Sequence, residues 1–185
     1  VSGQRAIAAA GIEPQRIGAL IHGSVCRDYL EPATACRVHH HLGLPERCQT
    51  YDVSNACLGL LSGMVQIANL IELGQIEAGL VVGTEDSRHL VESTIAALNA
   101  DQSLTRETVK SAIASLTIGS ASAAVLLTHK SISKTQNRLT AVAVRSHSQH
   151  YQLCEGGMQD QGGSSALLMQ TDSEKLLAGG IATGK

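Results

Sequence analysis

The chain has 185 residues, a formal net charge of -2 at pH 7, three Tyr and neither Phe nor Trp. A chain of this length can bury one substantial core, which here must be aliphatic and rich in alanine. The charge gives no electrostatic case for a nucleic-acid partner, and no apolar run approaches the roughly 20 residues that a membrane span needs.

Strand and helix patterns alternate along the sequence and predict an α/β fold with mostly buried strands. The predicted elements are, in chain order, a helix ending at Gly11, a strand over 17–25, a helix from Pro32 to about Leu42, a strand over 50–53, a helix ending near Gly74, a strand over 78–82, loops and a helix over 85–110, and strands over 121–127 and 139–145. The paired glycines at 156–157 and 162–163 fit no phosphate-binding motif and predict a flexible loop.

Cys57 lies where a short β-prone run gives way to a helix. Apolar residues recur at helical spacing from Leu60 to Ile71, so the cysteine sits at or just before the first helical turn. Free N–H groups and the positive end of the helix dipole stabilise a thiolate there, and the thiolate is the nucleophilic form. From spacing alone, a buried structural cysteine is as good an interpretation as a nucleophile.

The run over 52–59 resembles the nucleophile segment of the thiolase-like condensing enzymes, especially ketoacyl synthase III. Segments on both sides also match, in order: 16–21, Ser24, 31–35, 72–74, 78–85 and 119–127. Within that superfamily the sequence is most similar to the OleA branch, which joins two fatty acyl chains head to head. The resemblance implies a thiolase-like layered α/β/α/β/α sandwich and makes Cys57 the acyl-accepting nucleophile.

The resemblance also implies a domain plan of two similar α/β halves. On that plan residues 1–130 are the first half, without its first strands, and residues 131–185 begin the second half. The polar connector over 130–137 is the expected boundary. We therefore expect a fragment that is inactive alone, because the catalytic histidine and asparagine of the family have no counterpart before Lys185.

Glu31 stands before Pro32 in a predicted turn, where an exposed surface glutamate is the default interpretation. In OleA-like enzymes a glutamate at this place reaches the active site of the partner subunit and is proposed as the base for the second acyl chain. Joining two acyl thioesters without decarboxylation requires removal of an α-proton, which needs a base within hydrogen-bond reach. The resemblance thus implies this role for Glu31.

The predicted function is a Claisen condensation of thioesters through an acyl-cysteine, joining two fatty acyl-CoA molecules to a β-keto acid in a homodimer. One alternative is a 3-oxoacyl-ACP synthase III, which condenses acyl-CoA with malonyl-ACP on acyl carrier protein at the start of fatty acid biosynthesis. A hydroxymethylglutaryl-CoA or polyketide-type synthase would use the same acyl-cysteine chemistry, and a non-catalytic thiolase-fold partner subunit is an interpretation of a different class. Acyl-CoA is a substrate in the main interpretation, and no cofactor or metal is expected.

The remaining cysteines and histidines suggest no further chemistry. Five cysteines without CxxC pairing or zinc-type spacing fit free thiols in a reducing, cytoplasmic setting. Consecutive helical residues point in different directions, so His39, His40 and His41 cannot converge on one metal ion. His147 and His150 receive no catalytic role, because the histidine of the family lies later in the second half.

Overall fold

The computed structural model describes residues 1–160 and 165–184. Its helices are α1 (Ser2–Ala10), α2 (Thr34–Leu42), α3 (Gly59–Glu72), α4 (Arg88–Ala100), α5 (Arg106–Lys110), α6 (Ile113–Thr117) and α7 (Ser173–Gly184). Its strands are β1 (Ile17–Gly23), β2 (Gln49–Val53), β3 (Ala78–Glu85), β4 (Ala121–Thr128), β5 (Cys154–Asp160) and β6 (Ser165–Thr171).

The main sheet has the strand order β2-β1-β3-β4. Strand β1 runs parallel to both of its neighbours, β2 and β3, while β4 pairs antiparallel with β3 along its whole length. The carboxyl ends of β1, β2 and β3 therefore lie at one edge of the sheet. In open α/β sheets this edge is where ligands usually bind.

Both faces of the sheet are buried under helices. Ile17 and Leu20 of β1 belong to a cluster that also takes in Ile7 of α1, while Ile21 of β1 packs with Ile67 of α3 on the opposite face. Full burial of an aliphatic side chain of this size contributes about 1.5–3 kcal/mol. The continuous apolar runs of β1 and β3 follow from this coverage on both faces.

The chain divides into two compact units, one formed by 1–85 with 121–142 and the other by 86–120 with the residues from 143 onward. The first contains the main sheet with α1, α2 and α3. In the second, β5 and β6 form an antiparallel pair and Ser115 in α6 donates a hydrogen bond to the Met169 carbonyl of β6 at 2.9 Å. These units are not the two halves of the family fold that the resemblance implies. The division of those halves at residue 130 stays a prediction.

Most predicted elements of the first unit are confirmed, including the helix that ends at Gly11 in a left-handed conformation (φ 60). The predicted strand over 139–145 is wrong: its apolar residues are exposed, and it pairs with no strand of the part of the chain that the structure describes. Gly156 and Gly157 lie in β5, so the loop predicted there is also wrong, while Gly162 and Gly163 fall outside the described residues. None of the described helices is long and apolar enough to cross a membrane.

Candidate active site

Cys57 lies on a short turn between a strand and a helix. Strand β2 ends at Val53, a 3-10 turn covers Ala56–Leu58, and α3 begins at once with Gly59. The cysteine is exposed in this turn rather than buried among core side chains. The predicted position at the start of the helix is confirmed, and no burial among the described residues marks Cys57 as a core side chain.

The turn is held in a conformation that the sequence does not reveal. Ala56 has a φ of 44, in the left-handed region that costs a non-glycine residue about 1–2 kcal/mol. The Leu58 N–H donates to the Asn55 carbonyl at 2.9 Å, and the Asn55 amide donates to the Ser62 hydroxyl at 2.8 Å. The first bond closes the turn around Cys57, and the second ties the turn to α3.

A glycine pair sets the height of α3 above the sheet. A Cβ atom at Gly23, the last residue of β1, would lie 2.5 Å from the carbonyl carbon and oxygen of Gly59. A Cβ atom at Gly59 would in turn lie 2.9 Å from the carbonyl carbon of Gly23. The two backbone segments are therefore in direct contact. This contact holds the start of α3, which follows the Cys57 turn, against the end of β1.

The start of α3 is suited to hold negative charge. Leu58 occupies the N-cap position and has no side-chain acceptor, so no side chain caps the first turn of the helix. Uncapped N–H groups at a helix N-terminus, with the positive end of the dipole, stabilise an oxyanion that develops beside them. An exposed thiol at this position can accept an acyl group by nucleophilic attack.

Glu31 lies at the same edge of the sheet as Cys57. It follows β1, Cys57 follows β2, and the two strands are parallel neighbours. Glu31 is exposed in the connection to α2, next to a cis bond with Pro32. Within the described residues, no hydrogen bond or ion pair joins Glu31 to Cys57, so the structure gives them a shared edge and no direct contact.

A buried polar network lies beneath this edge. The Ser24 hydroxyl accepts the Thr84 N–H at 2.7 Å and shares a hydrogen bond with His22 Nε2 at 3.1 Å. His22 Nδ1 is buried without a hydrogen-bond partner among the described residues and lies 3.7 Å from Asp52, beyond hydrogen-bond distance. Burial lowers the pKa of His22 more than the nearby Asp52 carboxylate raises it, so the contact is not an ion pair.

The sequence analysis assigned no role to two carboxylates that lie at the ends of strands. Asp52 in β2 accepts backbone N–H bonds from Thr34 and Ala35 at the start of α2, and Glu85 at the end of β3 accepts them from Val25 and Cys26 after β1. Their signal in the sequence is an acidic residue near the end of each of two predicted parallel strands. That signal does not say which backbone groups the carboxylates bind.

Two histidines singled out from the sequence bond to other groups, and a cavity of the first unit does not include the expected site residues. His39 contacts the Pro45 carbonyl at 3.1 Å, and His147 shares a hydrogen bond with Thr183 at 3.0 Å. Among the residues with described positions, no group of three His, Cys, Asp or Glu could hold a metal ion. A cavity of about 770 Å³ beside α1 and β4 is lined by neither Cys57 nor Glu31.

Comparison with protein families and known proteins places this geometry in context. The family model described as thiolase, N-terminal domain, matches residues 1–161. An acyl-CoA:acyl-CoA alkyltransferase of Shewanella oneidensis is 44% identical in an alignment of 185 positions, gaps included. This alignment covers 98% of this chain and 52% of that protein. A protein of the same description from Xanthomonas campestris pv. campestris is 34% identical, with 96% and 50% covered.

Solved structures of Xanthomonas campestris OleA share the fold. One, a cysteine-to-serine variant with bound lauric acid and lauroyl-CoA, matches with a TM-score of 0.86 and 34% identity over 98% of this chain and 51% of that one. Further structures of the same protein carry replacements of a glutamate or a histidine. The chain thus spans about half the length of the relatives it matches.

Proposed function

The chain belongs to the thiolase family through its N-terminal domain, and from that premise we propose that the full-length protein joins two fatty acyl-CoA molecules by Claisen condensation. Cys57 is the acyl-accepting nucleophile in this proposal and Glu31 the base. The product is a β-keto acid. The reaction takes place in a cytoplasmic homodimer and needs no cofactor, because side chains and backbone N–H groups can supply the nucleophile, the base and the oxyanion donors.

One observation carries the assignment of both residues. The glutamate and the cysteine replaced in the OleA variants are as far apart in that protein's numbering as Glu31 and Cys57 are here. Two residues of the same types, at the same separation, lie in a chain with the same fold and 34% identity. This spacing supports transfer of both roles, and the exposed turn at the start of α3 supplies the chemical reason for Cys57.

The first step forms the acyl-enzyme. The Cys57 thiolate attacks the carbonyl carbon of one acyl-CoA, N–H groups at the start of α3 stabilise the oxyanion, and collapse of the intermediate expels CoA as a thiolate that takes up a proton. The acyl chain is then held as a thioester of Cys57. No oxidant, metal or decarboxylation enters this step.

The second step makes the carbon–carbon bond. Glu31 of the partner subunit takes an α-proton from a second acyl-CoA, and the resulting carbanion attacks the carbonyl of the acyl-cysteine. The Cys57 thiolate leaves, and a β-ketoacyl-CoA results. Hydrolysis of its remaining thioester by water gives the β-keto acid and CoA, so each product releases two CoA molecules in all.

The experiment follows CoA release by the full-length protein with lauroyl-CoA and no malonyl donor. We expect repeated turnover by the wild type, a first release of about one CoA per site followed by slow residual turnover in Glu31→Gln, and no release by Cys57→Ala. Glu46→Gln changes an exposed glutamate on another loop and serves as the matched control. A wild type that stalls until malonyl-ACP is added contradicts the proposal and favours a 3-oxoacyl-ACP synthase III.

A further inference from the structure

The segment that carries Glu31 has little apolar burial to hold it in place. It runs over 25–33 between β1 and α2, and most of its side chains are exposed, with Leu30 exposed to 97%. A base must nevertheless stand within hydrogen-bond reach of the proton it removes. Some other interaction must therefore fix the course of this backbone.

Glu85 holds the beginning of the segment. Its two carboxylate oxygens accept separate bonds, one from the Val25 N–H at 2.7 Å and one from the Cys26 N–H at 3.0 Å. Glu85 is the last residue of β3, a neighbour of the strand from which the segment departs. Bonds of backbone N–H groups to a carboxylate are stronger than bonds between neutral partners.

Asp52 holds the end of the segment in the same way. Its carboxylate accepts the Thr34 N–H at 2.9 Å and the Ala35 N–H at 2.8 Å, one on each oxygen. These are first-turn groups of α2, whose own N-cap residue, Ala33, has no side-chain acceptor. The Asp52 side chain is only 8% exposed, so water does not compete well for these bonds.

The two carboxylates come from the strands on either side of β1. Asp52 stands in β2 and Glu85 in β3, and both strands are parallel neighbours of β1. Asp52 is also on the strand that leads directly into the Cys57 turn. The same residue therefore links the segment of the expected base to the strand that carries the expected nucleophile.

We propose that Asp52 and Glu85 are positioning residues, which clamp both ends of the 25–33 segment and so set the place of Glu31 for the second step. This inference rests on the proposed function, in which Glu31 removes the α-proton. Neither carboxylate touches the reacting atoms. Their loss is expected to slow condensation and to leave the formation of the acyl-cysteine intact.

A carboxylate-to-amide substitution tests the clamp with the least change of shape. Gln at position 85 keeps one acceptor oxygen but replaces the other by an NH2 donor, which cannot accept from a backbone N–H. Glu85→Gln therefore breaks one of the two bonds and weakens the other. Glu77→Gln is the matched control, because Glu77 precedes the opposite end of the same strand and pairs with Arg16 at 2.9 Å.

The measurement separates the two steps in the full-length protein with lauroyl-CoA. In Glu85→Gln we expect single-turnover acylation of Cys57 within about 2-fold of wild type and CoA release beyond the first turnover slowed roughly 10- to 100-fold, as expected for a misplaced reacting group. In the Glu31→Gln background, Glu85→Gln should add no further loss, because the two residues act as one unit. Glu77→Gln should match the wild type in both steps.

Three results would overturn the inference: condensation by Glu85→Gln at the wild-type rate, equal slowing of both steps, or a full additional loss on top of Glu31→Gln. Two other results would show that the proposed function itself is wrong: a Glu31→Gln variant that condenses at the wild-type rate, or a wild type that forms no acyl adduct. Either result would also rule out the inference. Amide hydrogen exchange tests the same inference on the wild type, so its result does not depend on whether a variant folds. The N–H groups of Val25 and Cys26 should exchange at least about 10-fold more slowly than that of Leu30, and equal rates would contradict the clamp.

Discussion

The contact between Gly23 and Gly59 offers a direct way to move the expected nucleophile without touching it. In Gly23→Ala the new methyl group would lie 2.5 Å from the carbonyl carbon and oxygen of Gly59 and 2.8 Å from the nitrogen of Leu60. All three atoms belong to the backbone, so no side-chain rotation relieves the clash. The start of α3 must instead move away from β1, and the Cys57 turn must move with it.

The size of the effect follows from these distances. Ordinary van der Waals contact begins near 3.4 Å, so the helix start has to retreat by ~1 Å. Forcing an extra methyl group into a close-packed site costs about 1–3 kcal/mol of stability. A displacement of ~1 Å at a reacting group lowers the rate by about 100-fold.

The assay compares acylation rates and urea unfolding of the full-length protein. Gly23→Ala should acylate Cys57 about 100-fold more slowly with lauroyl-CoA, whereas Gly119→Ala, whose methyl group would meet open space, should match the wild type. If Gly23→Ala keeps both its stability and an acylation rate within about 3-fold of wild type, the idea that this contact positions Cys57 is refuted.

Three further predictions concern stability, measured by urea unfolding. Burial lowers the pKa of His22 below its ordinary value of 6.5, so the unfolded chain binds a proton at a higher pH than the folded chain does. The free energy of unfolding should therefore fall as the pH drops below 6.5. This fall should be less steep in His22→Gln. The charged groups that face His22 are Asp52, Glu85, Asp28 and Arg27. Ala56→Gly should raise the free energy of unfolding by about 0.5–1 kcal/mol, because glycine adopts the left-handed backbone without strain. Ser115→Ala should lower it by about 1 kcal/mol, since the Met169 carbonyl loses its donor.

Each of these predictions has an outcome that contradicts it. A wild type and a His22→Gln variant with parallel pH profiles would show that His22 does not bind its proton differently in the folded state. A loss of stability in Ala56→Gly would mean that the methyl group of Ala56 contributes more than the left-handed backbone costs. Ser115→Ala unfolding at the wild-type urea midpoint would show that the bond to Met169 contributes nothing.

The sequence predicted what depends on local periodicity. The apolar spacing from Leu60 to Ile71 gave helix α3, and the junction with the preceding strand placed Cys57 at its start. The runs of β1 and β3 were recognisable because strands covered on both faces are apolar throughout. The resemblance to condensing enzymes then supplied the role of Cys57, which spacing could not decide.

What the sequence did not predict depends on partners far away in the chain. The segment over 139–145 has the composition of a strand, but a strand needs a hydrogen-bonded neighbour, and no described strand pairs with it. The bonds of Glu85 to Val25 and Cys26 cross about sixty positions and leave no local pattern. The left-handed Ala56 is equally hidden, because alanine carries no preference for that conformation.

The central claim is that Cys57 accepts the acyl group, and the intact mass of the full-length protein tests it most directly. After brief mixing with lauroyl-CoA, the wild type should gain the mass of one lauroyl group per chain, and peptide mapping should place it on Cys57. Cys57→Ala should remain unmodified under the same conditions. An acyl group on another residue, or a wild type that stays unmodified with acyl-CoA of any chain length, would contradict the account.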